Sequence, residues 1–377
     1  MSSPVYDAVI IGAGIVGAAC AAERAAAGLR VAIVEAKMIG GGATAAGMGH
    51  LTVMDDSAAQ FALTRYSQLL WAEVKDELPR EVEYDACGTI WVAADDEEML
   101  EVVRKQEFYS SRGVEVEVLD AQELAEAEPQ LRKGLVGGLR VAGDSVIYPP
   151  CAAQFFVERA VSQGAQAFVG KAVQEITADG VRLRDGSAIS AGVIVNAAGS
   201  WSPALTAGLE VKKRKGHLVI TDRYPQFLRH QVVELGYLKS AHTLTAESVA
   251  FNIQPRRTGQ LLIGSSRQFE VEDAKVEAGI LSRMLSRAIE FLPGLGELTS
   301  LRAWTGFRAA TPDKLPLIGP DVAQARLYLA TGHEGLGITT SLGTAKLLVD
   351  QIVGRRSAIS IDPYLPARMT GAELAHA

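Results

Sequence analysis

The chain has 377 residues, 48% of them hydrophobic and 21% charged, with a formal net charge of −7. That length exceeds one compact core and predicts two domains or one elaborated domain. The acidic balance argues against a nucleic-acid surface, because phosphate binding needs a basic face.

From the N-terminus, residues 5–11 read as a short strand rich in β-branched side chains. Residues 15–27 read as an Ala-rich helix with Gly28 as its C-cap, and 31–34 as a second buried strand. Such a βαβ unit requires a parallel sheet. No basic-then-apolar leader precedes it, and no apolar run approaches the ~18 residues of a membrane span, so a cytoplasmic protein is the expectation. A Gly-rich loop over 39–49 follows, then a helix over about 56–78. From 83 to 143 the texture is mixed: strand 89–93, charged helix 96–112, strand 114–119, and a capping box of Asp120 with Glu123. Pro149 and Pro150 open a helix running to about 162, with strands near 167–173, 181–183 and 193–197. Residues 216–275 are strand-rich, with 251–254 and 260–265 joined as a hairpin. Helix 276–291, strand 327–330 and helix 338–353 complete the chain. Cys20, Cys87 and Cys151 are too widely spaced for a CxxC redox or zinc motif and suit a reducing compartment. Cys20 falls inside the first helix as a small buried residue, and no spacing calls for a metal.

Lys212, Lys213, Arg214 and Lys215 form one basic cluster. It reads as a solvated loop or edge strand, or as a docking patch for an acidic partner or a second phosphate-bearing cofactor.

Gly12, Gly14 and Gly17 form GxGxxG between the first strand and helix, followed by Ile15 and Val16 at the helix N-terminus. Gly12 permits the tight turn, Gly14 lets backbone approach a pyrophosphate, and Gly17 lets helix and strand pack closely. Glu35, followed by Ala36, stands where an acid hydrogen-bonds ribose hydroxyls and would repel a 2′-phosphate. Two later features favour FAD over NAD. Residues 193–199 form a buried strand ending in Ala197, Ala198 and Gly199, and 330–338 form a second Gly-rich strand-to-helix turn. A helix N-terminus in that turn could stabilise negative charge on a reduced flavin.

These motifs resemble the D-amino-acid-oxidase-type flavoprotein family, which includes glycine oxidase, sarcosine oxidase and D-amino-acid dehydrogenases. The resemblance spans nearly the whole chain. It implies an α/β fold, with a GxGxxG FAD-binding domain over 1–80, 145–215 and 305–377. An inserted α+β substrate domain on an antiparallel sheet occupies 81–144 and 216–304. It further implies that Thr44, Ala45, Gly47 and Met48 line the flavin, and that Val173 contacts the adenine. Ala198, Gly199 and the turn Gly335, Leu336, Gly337 and Ile338 also match. Arg308, within Gly306-Phe307-Arg308, matches the arginine that pairs bidentately with a substrate carboxylate; the alternative from the sequence alone is a surface ion pair, which the apolar, Pro-containing surroundings from 304 to 318 disfavour.

The chain departs from the family pattern at two places. Glycine-oxidase-like members carry a tyrosine where this chain has Asn252, so a substrate-orienting hydroxyl either comes from elsewhere, such as Tyr237, or is absent. No cysteine stands where sarcosine-oxidase-like members tether the flavin, so FAD should be dissociable. His50, in Gly47-Met48-Gly49-His50, matches a stretch in bacterial D-hydroxyproline dehydrogenases and their opine-oxidising relatives. It is either a polar contact or proton acceptor beside the flavin, or a histidine that satisfies a buried loop. His333 and His242 are weaker candidates. The resemblance thus implies oxidation of a small D-amino acid or cyclic secondary amine, best cis-4-hydroxy-D-proline, to the imino acid by hydride transfer to flavin N5. Alternatives are a glycine- or sarcosine-type oxidase, and a flavin subunit of a larger complex, with partner subunits, an electron carrier or an interfacial FMN. Action on a nucleic-acid-borne amine conflicts with the acidic charge.

Overall fold

A computed structural model describes residues 6–236, 247–269 and 271–369. Strand β1 (Tyr6–Ile11), helix α1 (Ile15–Ala26) and strand β2 (Val31–Glu35) form the expected βαβ unit. β1 lies between β2 and Ala188–Asn196 and runs parallel to both. Ala8, Val9 and Ile10 are wholly buried, because helices or a second layer cover both faces of a parallel sheet; the run is therefore apolar throughout rather than alternating. Gln166–Val169 continues the sheet beyond β2, and Leu327–Thr331 continues it beyond Ala188–Asn196, both parallel. Leu317–Pro320 adds an antiparallel edge. α1 packs against helices Pro149–Ser162 and Gly337–Val353 through small side chains such as Ala18, Ala21 and Ala22.

Two elements differ from expectation for identifiable reasons. The strand expected over 167–173 is two strands, because Gly170, at φ +76°, turns the chain out of the parallel sheet. Val173–Thr177 then starts an antiparallel flap with Gly180–Leu183. The helix expected over 56–78 spans Ala58–Val74; Ser57 Oγ accepts from the Gln60 N–H at 3.1 Å, and the last turn tightens into the 3-10 turn Lys75–Glu77. The capping box at Asp120 and Glu123 is formed.

The second sheet has nine strands, antiparallel except where Gln231–Glu234 runs beside Thr89–Ala93. Helix Ala278–Phe291 covers one face, with Phe291 stacked on Phe251 at 4.9 Å between ring centroids. The other face, through Gly216, Leu218, Asn252, Gly306 and Arg308, looks into a cavity shared with the first sheet. Among the described residues, no helix is long and apolar enough to cross a membrane.

The basic cluster is split: Lys212 is exposed and Lys213 part-buried, whereas Arg214 and Lys215 lie inside the fold. It opens Lys212–Thr221, an interior strand paired on one side with Leu261–Phe269 and on the other with Ser300–Ala310. Side chains alternate across a strand, so Lys215 and Arg214 point to opposite faces, and both are buried. Lys215 Nζ reaches Glu277 Oε1 at 2.9 Å and Asp273 Oδ1 at 3.4 Å, and Arg214 pairs with Glu334.

Lys215 is fully buried, whereas its two carboxylates remain 40% and 59% exposed. Removing the ammonium leaves both acids to water, but removing both acids strands a buried cation. Asp273→Asn combined with Glu277→Gln should therefore destabilise the fold more than Lys215→Met does. Urea midpoints of the two variants test this; the opposite ranking would refute it.

Candidate functional site

The cavity, of about 640 Å³, begins where β1 ends. Gly12 has φ +101°, and a Cβ there would stand 2.7 Å from the Ala197 carbonyl oxygen. At Gly17 a Cβ would stand 2.0 Å from the Gly12 oxygen, so α1 starts directly on the turn. Neither place admits a side chain. The Glu35 carboxylate is fixed by the backbone, accepting from the Ala13 and Lys37 N–H groups at 2.8 Å each. Thr44 Oγ1 accepts from the Ile15 N–H at 3.0 Å, which joins the 39–49 loop to the helix N-terminus. That loop contains a helical turn, Ala43–Ala46, pressed onto the second sheet: a Cβ at Gly306 would lie 2.3 Å from the Ala46 Cβ.

At the other end, the turn after Leu327–Thr331 leads into helix Gly337–Val353, whose first turn contains no acidic residue and has no side-chain cap. The donors of that N-terminus stay available to an acceptor. Between the two turns stand His50, Asn252 and Arg308. The Arg308 guanidinium lies over Gly216, and its Nη1 donates to the Ser266 carbonyl at 3.0 Å. Its cross-strand partner Arg214 is engaged by Glu334 and sits 4.8 Å over the Phe269 ring.

His50 Nε2 and Asn252 Oδ1 are buried and have no hydrogen-bond partner among the described residues. Burial pushes the His50 imidazole down to about 4, partly opposed by its hydrogen bond to the Gln254 side chain, so it is neutral at pH 7 and can accept as well as donate. Its backbone carbonyl accepts from Thr339 Oγ1 at 2.8 Å. His333 is pushed down to about 3 by burial, and its Nε2 already meets Thr344 Oγ1 at 2.9 Å.

The expected residues Gly12, Gly14, Ile15, Val16, Glu35, Ala36, Thr44, Ala45, Gly47, Met48 and Val173 line this one cavity. So do Ala198, Gly199, Gly335, Gly337 and Ile338. Gly17 and Leu336 do not: Gly17 makes the helix-to-turn contact, and Leu336 is the N-cap behind the turn. Tyr237 and His242 lie outside the described residues. Ser265, Leu218, Gly216 and Glu334 also line the cavity and were not expected from the sequence. For Gly216 a signal existed, since a glycine inside a strand marks close approach of another group.

The model of the DAO family, described as FAD dependent oxidoreductase, matches residues 7–351. The chain belongs to this family. It is 29% identical to a glycine oxidase of Geobacillus kaustophilus (strain HTA426), over 97% of this chain and 98% of that protein. It is 28% identical to hydrogen cyanide synthase subunit HcnC of Pseudomonas aeruginosa, with 96% of each covered. The crystal structure of glycine oxidase from Geobacillus kaustophilus superposes with a TM-score of 0.86, at 28% identity, over 96% of this chain and 98% of that one. FAD is the cofactor of this family, and the cavity fits it. Side-chain-free backbone lies at both helix N-termini, a fixed carboxylate at Glu35, and small residues along the wall between.

Gly306→Ala should loosen this cradle, because its methyl group would collide with Ala46. Over-packing of this kind costs about 1–3 kcal/mol, enough for roughly tenfold weaker FAD binding. Fluorescence titration of apoprotein with FAD measures it; unchanged affinity would remove the sheet-to-loop contact from the cofactor site.

Proposed function

We propose that this enzyme oxidises the C–N bond of a small D-amino acid or cyclic secondary amine to the imino acid, with cis-4-hydroxy-D-proline as the preferred substrate. At the level of reaction class it is an FAD-dependent oxidoreductase acting on CH–NH or CH–NH2 donors. The cofactor half of the chain is proposed to comprise 1–80, 145–215 and 305–377, and the substrate half 81–144 and 216–304. The strands Lys212–Thr221 and Ser300–Ala310 run across two of those limits.

One observation carries the substrate reading. Arg308, the bare His50 Nε2 and the bare Asn252 Oδ1 line the same cavity. A guanidinium matches a carboxylate in two parallel hydrogen bonds, and holding the carboxylate there orients the α C–H. Glycine offers only its amine and carboxylate. A buried acceptor left unpaired costs about 1–3 kcal/mol, which a ring hydroxyl, both donor and acceptor, would offset at His50 or Asn252. FAD, when bound, supplies the hydride acceptor. The chain's residues hold the carboxylate, present a neutral imidazole, and keep water from the wall formed by Met48 and Leu218. No side chain is assigned as general base; the amine reacts in its neutral form. The identity to HcnC supports a second reading, a flavin subunit of a larger amine-oxidising complex. Size-exclusion chromatography of the native protein separates the two.

Arg308→Met should lower kcat/KM for carboxylate-bearing amines by a few kcal/mol in ΔΔG‡ while FAD stays bound. Wild-type kinetics in that variant would take Arg308 out of the site. In a panel of glycine, sarcosine, D-alanine, D-proline and cis-4-hydroxy-D-proline, the last should give the highest kcat/KM. His50→Ala should reduce the preference over D-proline. A clear preference for glycine or sarcosine, or indifference to the His50 change, would defeat the hydroxyproline assignment. Acid precipitation should release FAD intact, as expected from the absence of a tethering cysteine.

A further inference from the structure

Gly216 sits in the middle of strand Lys212–Thr221, directly opposite Gly306 in the ladder. Its φ is not among the positive values, so conformational freedom does not explain a glycine there. The explanation lies above it. A Cβ at residue 216 would stand 2.8 Å from Arg308 Nη1 and 3.0 Å from Cζ and from Nη2. All three atoms belong to the guanidinium, the far end of a flexible side chain. A methyl group at 216 would therefore leave the sheet in place and lift the guanidinium. The contrast with Gly306 is sharp, since there the obstructing atom is the Cβ of Ala46, carried on the backbone of a packed turn.

We infer that Gly216 is a positioning residue for carboxylate recognition: the missing side chain seats the Arg308 guanidinium flat on the strand, and the Ser266 carbonyl fixes it from the side at 3.0 Å. This rests on Arg308 being the carboxylate site, as proposed above. The depth of the guanidinium sets where the carboxylate stops, and hence how far the α carbon reaches into the cavity. Bidentate pairing tolerates little displacement, because a shift of about 1 Å in a positioning group can cost roughly 10²-fold. Arg214 cannot take over, as Glu334 already engages it and Phe269 lies beneath it.

The test uses the FAD-loaded enzyme and its variants Gly216→Ala, Arg308→Met and the double variant. KM and kcat are measured with D-proline. Binding of acetate, a carboxylate that cannot be oxidised, is read from the absorbance of bound flavin. FAD content and melting temperature report on the fold. Gly216→Ala should raise KM and weaken acetate by at least about tenfold, with FAD content and melting temperature close to wild type. In the Arg308→Met background the same change should add little, the non-additivity expected of residues acting through one contact. If Arg308→Met impairs acetate binding but Gly216→Ala does not, this inference fails and the carboxylate site stands. If Arg308→Met leaves acetate binding intact, the carboxylate site fails and takes the inference with it. An equal Gly216→Ala effect in both backgrounds, or loss of FAD in Gly216→Ala, would place residue 216 in general packing and overturn the inference.

Discussion

Close approach of backbone to backbone is the constraint on which the rest of this structure depends. At Gly12 and Gly17 it joins β1, α1 and the end of Ala188–Asn196 into a turn with no side chain inside it. At Gly306 it lets the Ala43–Ala46 turn rest on the second sheet. The two sheets face each other across a shared cavity because the elements between them carry almost no bulk. Any side chain at these points would widen the gap, and Glu35, Arg308 and the second helix N-terminus would no longer face one ligand.

The charged groups follow from the same geometry. A wall made of glycine and small apolar residues gives little solvation, and three charged groups that line or back the cavity are held by partners. Glu35 is held by two backbone N–H groups, Arg214 by Glu334, and Lys215 by acids at the surface. Neutral groups are less completely matched: among the described residues, His50 Nε2, Asn252 Oδ1 and Ser200 Oγ line the cavity without a hydrogen-bond partner. A buried polar atom without a partner is disfavoured unless something else supplies one.

Much of this was legible in the sequence, and the remainder has physical reasons for being hidden. β1, α1 and β2 were readable because a doubly covered parallel strand is apolar at every position and GxGxxG has fixed spacing. The strand Ser300–Ala310 was not, although it carries Arg308. Its Leu301, Arg302, Trp304, Gly306 and Arg308 mix charge and bulk, with no clean alternation of apolar and polar positions. The Lys212-to-Lys215 run misled for a related reason: composition suggests solvent, but alternation sends Arg214 and Lys215 to opposite buried faces, each with its own carboxylate. Glu277 and Glu334 are more than 60 and 110 residues away, and no local pattern announces them. The candidate cofactor wall was nearly complete in the motifs. The rest of the cavity wall was visible only in part, since Ser265, Leu218 and Gly216 are ordinary residues until the sheet brings them to the cavity.

The order of strands has one more consequence, and it concerns how the molecule assembles. The first sheet draws its strands from residues 6–35, 166–196 and 317–331, and the second from 89–141, 212–269 and 300–310, with 333–334 added. Neither sheet can be completed from a contiguous stretch of chain. Pairing Ala188–Asn196 with β1 closes a loop of more than 150 residues, and Leu327–Thr331 waits for nearly the whole polypeptide. Loop-closure entropy must be met before those contacts stabilise anything, which places the fold among slow, high-contact-order topologies. An incomplete chain emerging from the ribosome would expose the long edges of both half-built sheets. The interleaving that lets two sheets share a single binding cavity also makes their folding interdependent.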